Sequence, residues 1–427
     1  VTAVDLLVGP AAQVVTATGS PGVVAGGMVA AREGRIVAVG PAEEVLRSVE
    51  PLPECVRVPA EGRVVTPGLV DPHTHFVFGG WRAEEFELRL GGASYMDILR
   101  AGGGILSTVR ATRAASEDEL YELGRRRLDA FLEVGTTTVE GKSGYGLDLE
   151  TELKCLRVMR RLDRDHRVDV VPTYLGAHAL PPEFAGRPDD YVDFVVGEVL
   201  PRVAAEGLAE FVDAFCEEGV FDAERCRRVL EAGLALGLRP KLHADEFAAS
   251  GGAELAAEVG AVSADHLERS TEAGLAALVR RGVTAVILPA TALFLRLPEP
   301  PPARAVLGLG GRLALGTDFN PGSSTVVSLP LVMTLACLLT GLTPAEAILA
   351  TTVGGAQAVG RAHRLGTLEP GKQADLVVWD CPTYQHLAYR FGENLARVVV
   401  KRGRVALDRG LGREGPRSWI GEGRGRR

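Results

Sequence analysis

Apolar and polar positions follow two different rhythms along the chain. The opening 60 or so residues place short apolar runs between glycine-rich turns: Asp5-Leu-Leu-Val8, Gly26–Ala31 and Gly34-Arg-Ile-Val-Ala-Val-Gly40. Runs of this kind predict hairpin-like β structure. The far end has the same texture in Ala374-Asp-Leu-Val-Val-Trp-Asp380 and Val398-Val-Val-Lys-Arg-Gly-Arg-Val-Ala-Leu407. Two β-rich ends around a different middle predict one small, β-sandwich-like domain composed of residues 1–63 and 359–427.

The middle, residues 64–358, alternates strand-like with helix-like stretches. Its pattern predicts eight strands: Val64–Asp71, Thr136–Glu140, Val168–Leu175, Glu210–Cys216, Arg239–His243, Val262–His266, Thr284–Leu288 and Arg312–Asp318. Helical periodicity lies between them, as in Asp222–Leu236 and Thr271–Arg281. Eight such alternations predict an α/β fold, a (β/α)8 TIM-like barrel, over the weaker alternative of a doubly wound open sheet. The span between the first two strands is too long for one helix and predicts an extended loop or lid that includes Gly102-Gly-Gly104. The basic, glycine-rich stretch Arg409–Arg427 reads as a solvated tail.

Composition narrows the class. The 427 residues are 46% hydrophobic and 24% charged, which suits a folded globular protein and not a disordered one. A net charge of −8 excludes a global basic field for nucleic acid or anionic membrane. Six scattered cysteines without a CxxC pair, and a first segment Val1-Thr-Ala-Val-Asp5 without signal-peptide layout, give the expectation of a cytoplasmic protein with reduced thiols. The uncharged stretch Asn320–Ala345 is interrupted by Ser328, Pro330, Thr334 and Thr340. It therefore reads as a buried helix and not a membrane span.

In a barrel, functional residues stand where strands end at the carboxyl face. Those positions here are polar: Asp71-Pro-His73-Thr-His75, Glu140-Gly-Lys142-Ser-Gly-Tyr145, His178, Glu217-Glu218, His243-Ala-Asp245-Glu246, Asp265-His266 and Thr317-Asp318-Phe-Asn320. His73 and His75, two apart on an extended strand, point to one side and can reach one ion. His166, His363 and His386 fall outside the pattern and read as surface or packing residues. Imidazoles with one carboxylate suit Zn²⁺, and are compatible with Fe²⁺ or Mn²⁺. Such an ion acidifies water towards neutral pH. Glu246 is placed to hydrogen-bond that water or move its proton, and His266 to orient water or stabilise an oxyanion.

Gly68-Leu-Val-Asp-Pro-His73-Thr-His75 and Gly366-Thr-Leu-Glu-Pro-Gly371-Lys-Gln-Ala-Asp-Leu-Val-Val-Trp-Asp380 resemble the amidohydrolase superfamily, metal-dependent hydrolases on a barrel with a small β domain. More narrowly, Asp71–Arg82, Gly102–Arg113, Glu140–Gly146, Thr173–His178, Lys241–Phe247 and Gly316–Ser323 resemble the imidazolonepropionase family. The resemblance implies a cytoplasmic, homodimeric enzyme that opens the ring of 4-imidazolone-5-propanoate in histidine degradation. It implies one divalent ion, Zn or Fe, on His73, His75, His243 and Asp318. It implies that Glu246 and His266 act on water, with the departing nitrogen protonated through either Asp318 or Glu246. It also implies substrate contacts from Arg82, Tyr95, Tyr145, His178, Glu246, Asn320, Gly322 and Ser323. Lys142 could be carboxylated to bridge two metals in binuclear relatives, but the resembled family is mononuclear. Two other readings remain: another cyclic amide or amidine hydrolase, such as a nucleobase deaminase, and a non-catalytic descendant of the fold.

Overall fold

The computed structural model, which describes residues 1–92 and 103–410, resolves the two rhythms into two sheets. Tyr95 and nearly all of the basic tail lie outside the described residues. In the sheet built from both chain ends, Thr2–Val15 lies parallel to Val49–Pro67 and antiparallel to Gly27–Arg32. Leu376–Trp379, Ala396–Lys401 and Arg404–Asp408 extend this sheet beyond Val49–Pro67. Alternation along the strands sends Leu6, Val8, Val29 and Ala31 into one apolar cluster and Val4, Leu7, Met28 and Ala30 into another.

The second sheet is a barrel of parallel strands in sequential order: β1 (Leu69–Asp71), β2 (Thr136–Lys142), β3 (Asp169–Ala177), β4 (Phe211–Cys216), β5 (Leu242–Ala244), β6 (Ser263–His266), β7 (Thr284–Ile287) and β8 (Arg312–Leu315). Six of these strands are buried at every residue, as expected where helices cover the outside. The predicted first strand divides at Gly68. Val64 and Val65 pair with Trp379 and Val378 in the terminal sheet, and only Leu69–Asp71 pairs with β2. The long first connection is too long for one helix, as expected, and part of the expected loop, Gly102 included, lies outside the described residues. Its described residues form helices Ala83–Leu90, Ile105–Ala114 and Glu117–Glu133, the last started by a capping box of Ser116 and Glu119. The uncharged stretch contains the helix Leu329–Thr340, capped by Ser328, with Pro330 in the first turn, where its missing N–H costs nothing. Among the described residues no helix is long and apolar enough to cross a membrane.

β1 and β8 do not pair along their lengths; the ring closes just beyond them. The Asp318 amide donates to the His73 carbonyl (3.0 Å), and the His75 amide donates to the Phe319 carbonyl (2.9 Å). Asp71 adds a side-chain clasp, accepting from the Thr317 hydroxyl at 2.6 Å and the Thr317 amide at 3.2 Å. The closing contact therefore runs through the residues singled out as metal ligands.

A buried ionic cluster fastens the terminal sheet to the barrel. Lys401 Nζ stands 2.9 Å from Asp169, at the start of β3, and 2.6 Å from Asp375, with all three side chains no more than 6% exposed. Removing one partner of such a group leaves the others charged without compensation. Lys401→Met is expected to destabilise the fold by about 3–5 kcal/mol in denaturant unfolding; a loss below about 1 kcal/mol, the scale of an exposed pair, would contradict this reading.

Candidate active site

The segment after β1 stays extended, so His73 and His75 project to the same side into the barrel mouth. His75 Nε2 lies 3.3 Å from His73 Nε2 and 3.4 Å from His243 Nε2. Asp318 Oδ1 lies 3.4 Å from His73 Nε2 and 3.6 Å from His75 Nε2. A tetrahedral ion bound at ~2.0–2.1 Å by four ligands requires ligand-to-ligand edges of about 3.3–3.4 Å. The four measured edges lie on that scale, His73, His75 and Asp318 form one compact trio that His243 joins through His75, and all four side chains are buried. Burial above all, together with neighbouring cations, holds the imidazoles of His73, His75 and His243 well below their usual pKa, so they are neutral as a metal requires. His266 also stands near His73 and His243, close enough for a trio of possible ligand atoms within 4.8 Å.

Three of the four candidate ligands stand beside a second group, while His75 Nδ1 has no hydrogen-bond partner. His73 Nδ1 meets Asp265 Oδ2 at 2.6 Å, which directs Nε2 to the centre. His243 Nδ1 lies 3.0 Å from Asp213 Oδ2, out of line for a hydrogen bond. Asp318 Oδ2 accepts from Thr291 Oγ1 at 2.7 Å. Burial raises the Asp318 carboxyl to about 7, a penalty a bound cation would offset. Beneath the ligands, Lys142 Nζ contacts Asp213 (2.7 Å), Glu140 (3.2 Å) and Asp265 (3.2 Å). Burial opposes its charge, yet the three carboxylates together raise its pKa. Lys142 is thus an ammonium held in an ion cluster and not the neutral amine that carboxylation needs. Lys241, bonded to Glu140 at 2.5 Å, completes the cluster.

Above the ligands lies a cavity of about 360 Å³. His75, His243 and Asp318 line it together with Arg82, Tyr145, His178, Glu246, His266, Asn320, Gly322 and Ser323, while His73 sits behind them. The predicted residues that are described therefore converge on one site. His178 stacks on His75 (centroids 5.2 Å apart, planes at 15°) and donates through Nδ1 to the Gly144 carbonyl at 3.0 Å. Gly144 has φ +101°, and a Cβ there would come within 2.8 Å of that nitrogen. Glu85 holds Arg82 through Nε at 2.8 Å, and its other oxygen accepts from the Gly104 amide at 2.9 Å. Asn320 uses its amide on its own turn, donating to the Asp318 carbonyl and accepting from the Gly322 and Ser323 amides at 2.7 and 2.8 Å.

The acidic side of the cavity is crowded. Burial, then Glu268, Asp318 and Glu217, push the Glu246 carboxyl well above its ordinary value. Glu217 accepts from the Phe247 amide at 2.8 Å, fixing the loop that carries Glu246. Burial pushes Glu268, a residue the motifs did not single out, up to about 8.

Several functional neighbours had no spacing signal. Asp213 and Lys241 occur inside apolar strands, and Arg89 and Glu85 lie on a short helix in a connection read as loop. Arg89 lines the cavity and donates to the Gly322 carbonyl at 3.0 Å, beside Arg82. The three histidines set aside stay apart: His166 pairs with Asp129, His386 bonds Thr383, and His363 is exposed. A larger cleft of about 1150 Å³ lies against the terminal sheet, lined by Arg35, Arg167 and Arg402 among others. Among the described residues, every group able to hold a metal lies in the barrel mouth and none in that cleft. Asp265→Asn is expected to weaken metal affinity ~10–100-fold in a chelator competition, because His73 loses its anionic partner; unchanged affinity would remove Asp265 from the site's support.

Comparison with known proteins agrees with this geometry. The amidohydrolase family profile matches residues 245–406. The chain is 54% identical over 390 residues to an imidazolonepropionase of Geobacillus kaustophilus, covering 91% of this chain and 92% of that one. It is 52% identical over 417 residues to one from Symbiobacterium thermophilum, covering 95% and 98%. Among solved structures, an adenosine deaminase from Xanthomonas campestris with bound zinc superposes with a TM-score of 0.69 at 24% identity, covering 95% of this chain and 94% of that one. A triazine hydrolase variant gives a TM-score of 0.74 at 18% identity, covering 94% of each chain. These two distant likenesses speak for the fold alone. The near-full-length identity, on a barrel that gathers the same strand-end residues, places this chain in the imidazolonepropionase family of the amidohydrolases.

Proposed function

We propose that this chain hydrolyses the ring amide of 4-imidazolone-5-propanoate to N-formimidoyl-L-glutamate. The observation that carries the proposal is the polarity of the 360 Å³ cavity. Arg82, Arg89 and Tyr145 line it together with His75, His243 and Asp318, with His73 just behind them, so one small molecule can meet cations and the proposed ligand set at once. A propanoate suits guanidinium and phenol groups, and the polar ring suits the imidazole of His178.

One divalent ion, zinc or iron, bound by the four ligands would supply Lewis acidity, lowering the pKa of water and polarising a carbonyl. The chain's own groups do the rest. The oxygen of water bonds to the ring carbonyl carbon, the C–N bond breaks, the nitrogen takes a proton from the donor, and the proton that water releases restores that donor for the next turnover. His266 faces the developing oxyanion. Asp318 has both oxygens engaged, one in the ligand set and one with Thr291, whereas Glu246 makes no hydrogen bond in the structure and faces the cavity. Glu246, held protonated by its buried surroundings, is therefore the donor we assign to the departing nitrogen. The six cysteines are all unpaired, which supports a reducing, cytoplasmic setting.

The direct test is to assay ring opening of imidazolonepropanoate beside a panel of nucleobases. Ring opening of the former alone is expected; ammonia release from a base without ring opening would overturn the reading. Asp318→Ala is expected to lose both activity and bound metal, and a variant keeping full turnover would take Asp318 out of the reaction. Gly322→Ala tests the carboxylate end, since its Cβ would overlap Arg82 Nη1 and displace the guanidinium. It should raise KM ~10-fold or more with metal content unchanged, the scale of a lost charge-assisted hydrogen bond; an unchanged KM would mean that Arg82 does not hold the substrate.

A further inference from the structure

Beside the cavity, but not on its wall, is a buried carboxyl with no assigned work. The Glu268 side chain is 1% exposed, and neither of its oxygens makes a hydrogen bond. Its ion-pair contact is with His266: Oε2 lies 3.9 Å from Nδ1. That nitrogen is equally orphaned, sealed from solvent and without a partner. Three unsatisfied polar atoms in one dry corner are costly, roughly 1–3 kcal/mol for each group. Retaining them in a packed interior calls for a reason other than stability.

The backbone shows how the corner is built. His266 has φ +77° and Leu267 has φ +73°, two successive non-glycine residues in the left-handed region. Each conformation is strained. It is held by the Leu267 amide, which donates to the Ala244 carbonyl (3.0 Å), and by the Arg269 amide, which donates to the Asp245 carbonyl (2.8 Å). The effect of this turn is to fold the chain back so that Glu268 faces the ring two residues before it. Glu246 Oε1 also lies 3.8 Å from the same nitrogen, but Glu246 lines the cavity and is open to substrate. Glu268 is the group with no competing partner.

We propose that Glu268 is a positioning residue for His266: its carboxyl closes onto Nδ1 and holds the ring in the tautomer that carries its proton on Nε2. That nitrogen is the one left to face the cavity, where a donor is needed for the developing oxyanion. The present separation is about 1 Å beyond a hydrogen bond. The assignment rests on the role given to His266 in the hydrolysis proposed above.

The test compares Glu268→Leu and Glu268→Gln in the metal-loaded enzyme. Leucine removes the partner and also removes the unsatisfied carboxyl, so kcat should fall ~10-fold or more, with KM within about threefold and Tm unchanged or higher. Glutamine keeps a donor of the same length and should restore most of kcat. ¹⁵N spectra of the His266 ring, assigned by difference from His266→Asn, should show Nε2–H in the parent and in Glu268→Gln and a changed proton distribution in Glu268→Leu. Parental kcat in the leucine variant, a glutamine variant as impaired as leucine, a fall in Tm that tracks the loss of activity, or a tautomer unaffected by leucine would each overturn the proposal. The spectra and melting curves need no substrate. They judge Glu268 even where the parent fails to open imidazolonepropanoate, which would instead defeat the functional reading.

Discussion

The molecule depends on the contact that closes the barrel. β1 and β8 end without pairing, and the chain bridges them one step later through two backbone bonds, from Asp318 to His73 and from His75 to Phe319. The residues that make these bonds carry three of the four ligand side chains. Closing the ring and assembling the site are consequently one event. The Asp71–Thr317 clasp lies directly below and keeps the two strand ends in register. A barrel is a rigid frame, so ligand spacing inherits the precision of the strands and not the looseness of loops.

Below the seam, charge is arranged to make a cation welcome. Lys142 and Lys241 are shared among Glu140, Asp213 and Asp265, and two of those carboxylates also reach toward ligand imidazoles. Such a cluster contributes little net stability by itself, since desolvation consumes most of its Coulombic gain. Its value is orientation: the second nitrogens of His73 and His243 each face an anion. On the acidic flank the opposite holds. Glu246 and Glu268 have no buried cation beside them, and burial raises both carboxyls above their ordinary range, Glu268 to about 8.

Much of this was legible in the sequence because strand ends announce themselves. A polar residue after an apolar run, repeated at His73, His243, His266 and Asp318, points to one face of a barrel before any coordinate is known. The boundary of β1 was less plain. Val64–Asp71 reads as one strand by its valines and leucine, although the turn dipeptide Pro67-Gly68 inside it marks where the chain passes from one sheet to the other. The described helices of the first connection were not picked out because glycines such as Gly79-Gly80 and Gly91-Gly92 punctuate it. Asp213 and Glu268 were hidden for a different reason. Their roles come from partners distant in the chain or from a strained turn, and neither leaves a spacing for the eye to find.

The claim that seam and site are one contact can be measured without substrate. Hydrogen exchange of the metal-loaded protein should show slow exchange at the His75 and Asp318 amides, which bond across the seam. Stripping the metal with a chelator should speed exchange there more than at any amide pairing β2 with β3. Equal protection at the seam with and without metal would contradict the account, because the ligands would then be gathered without being held together by what they bind.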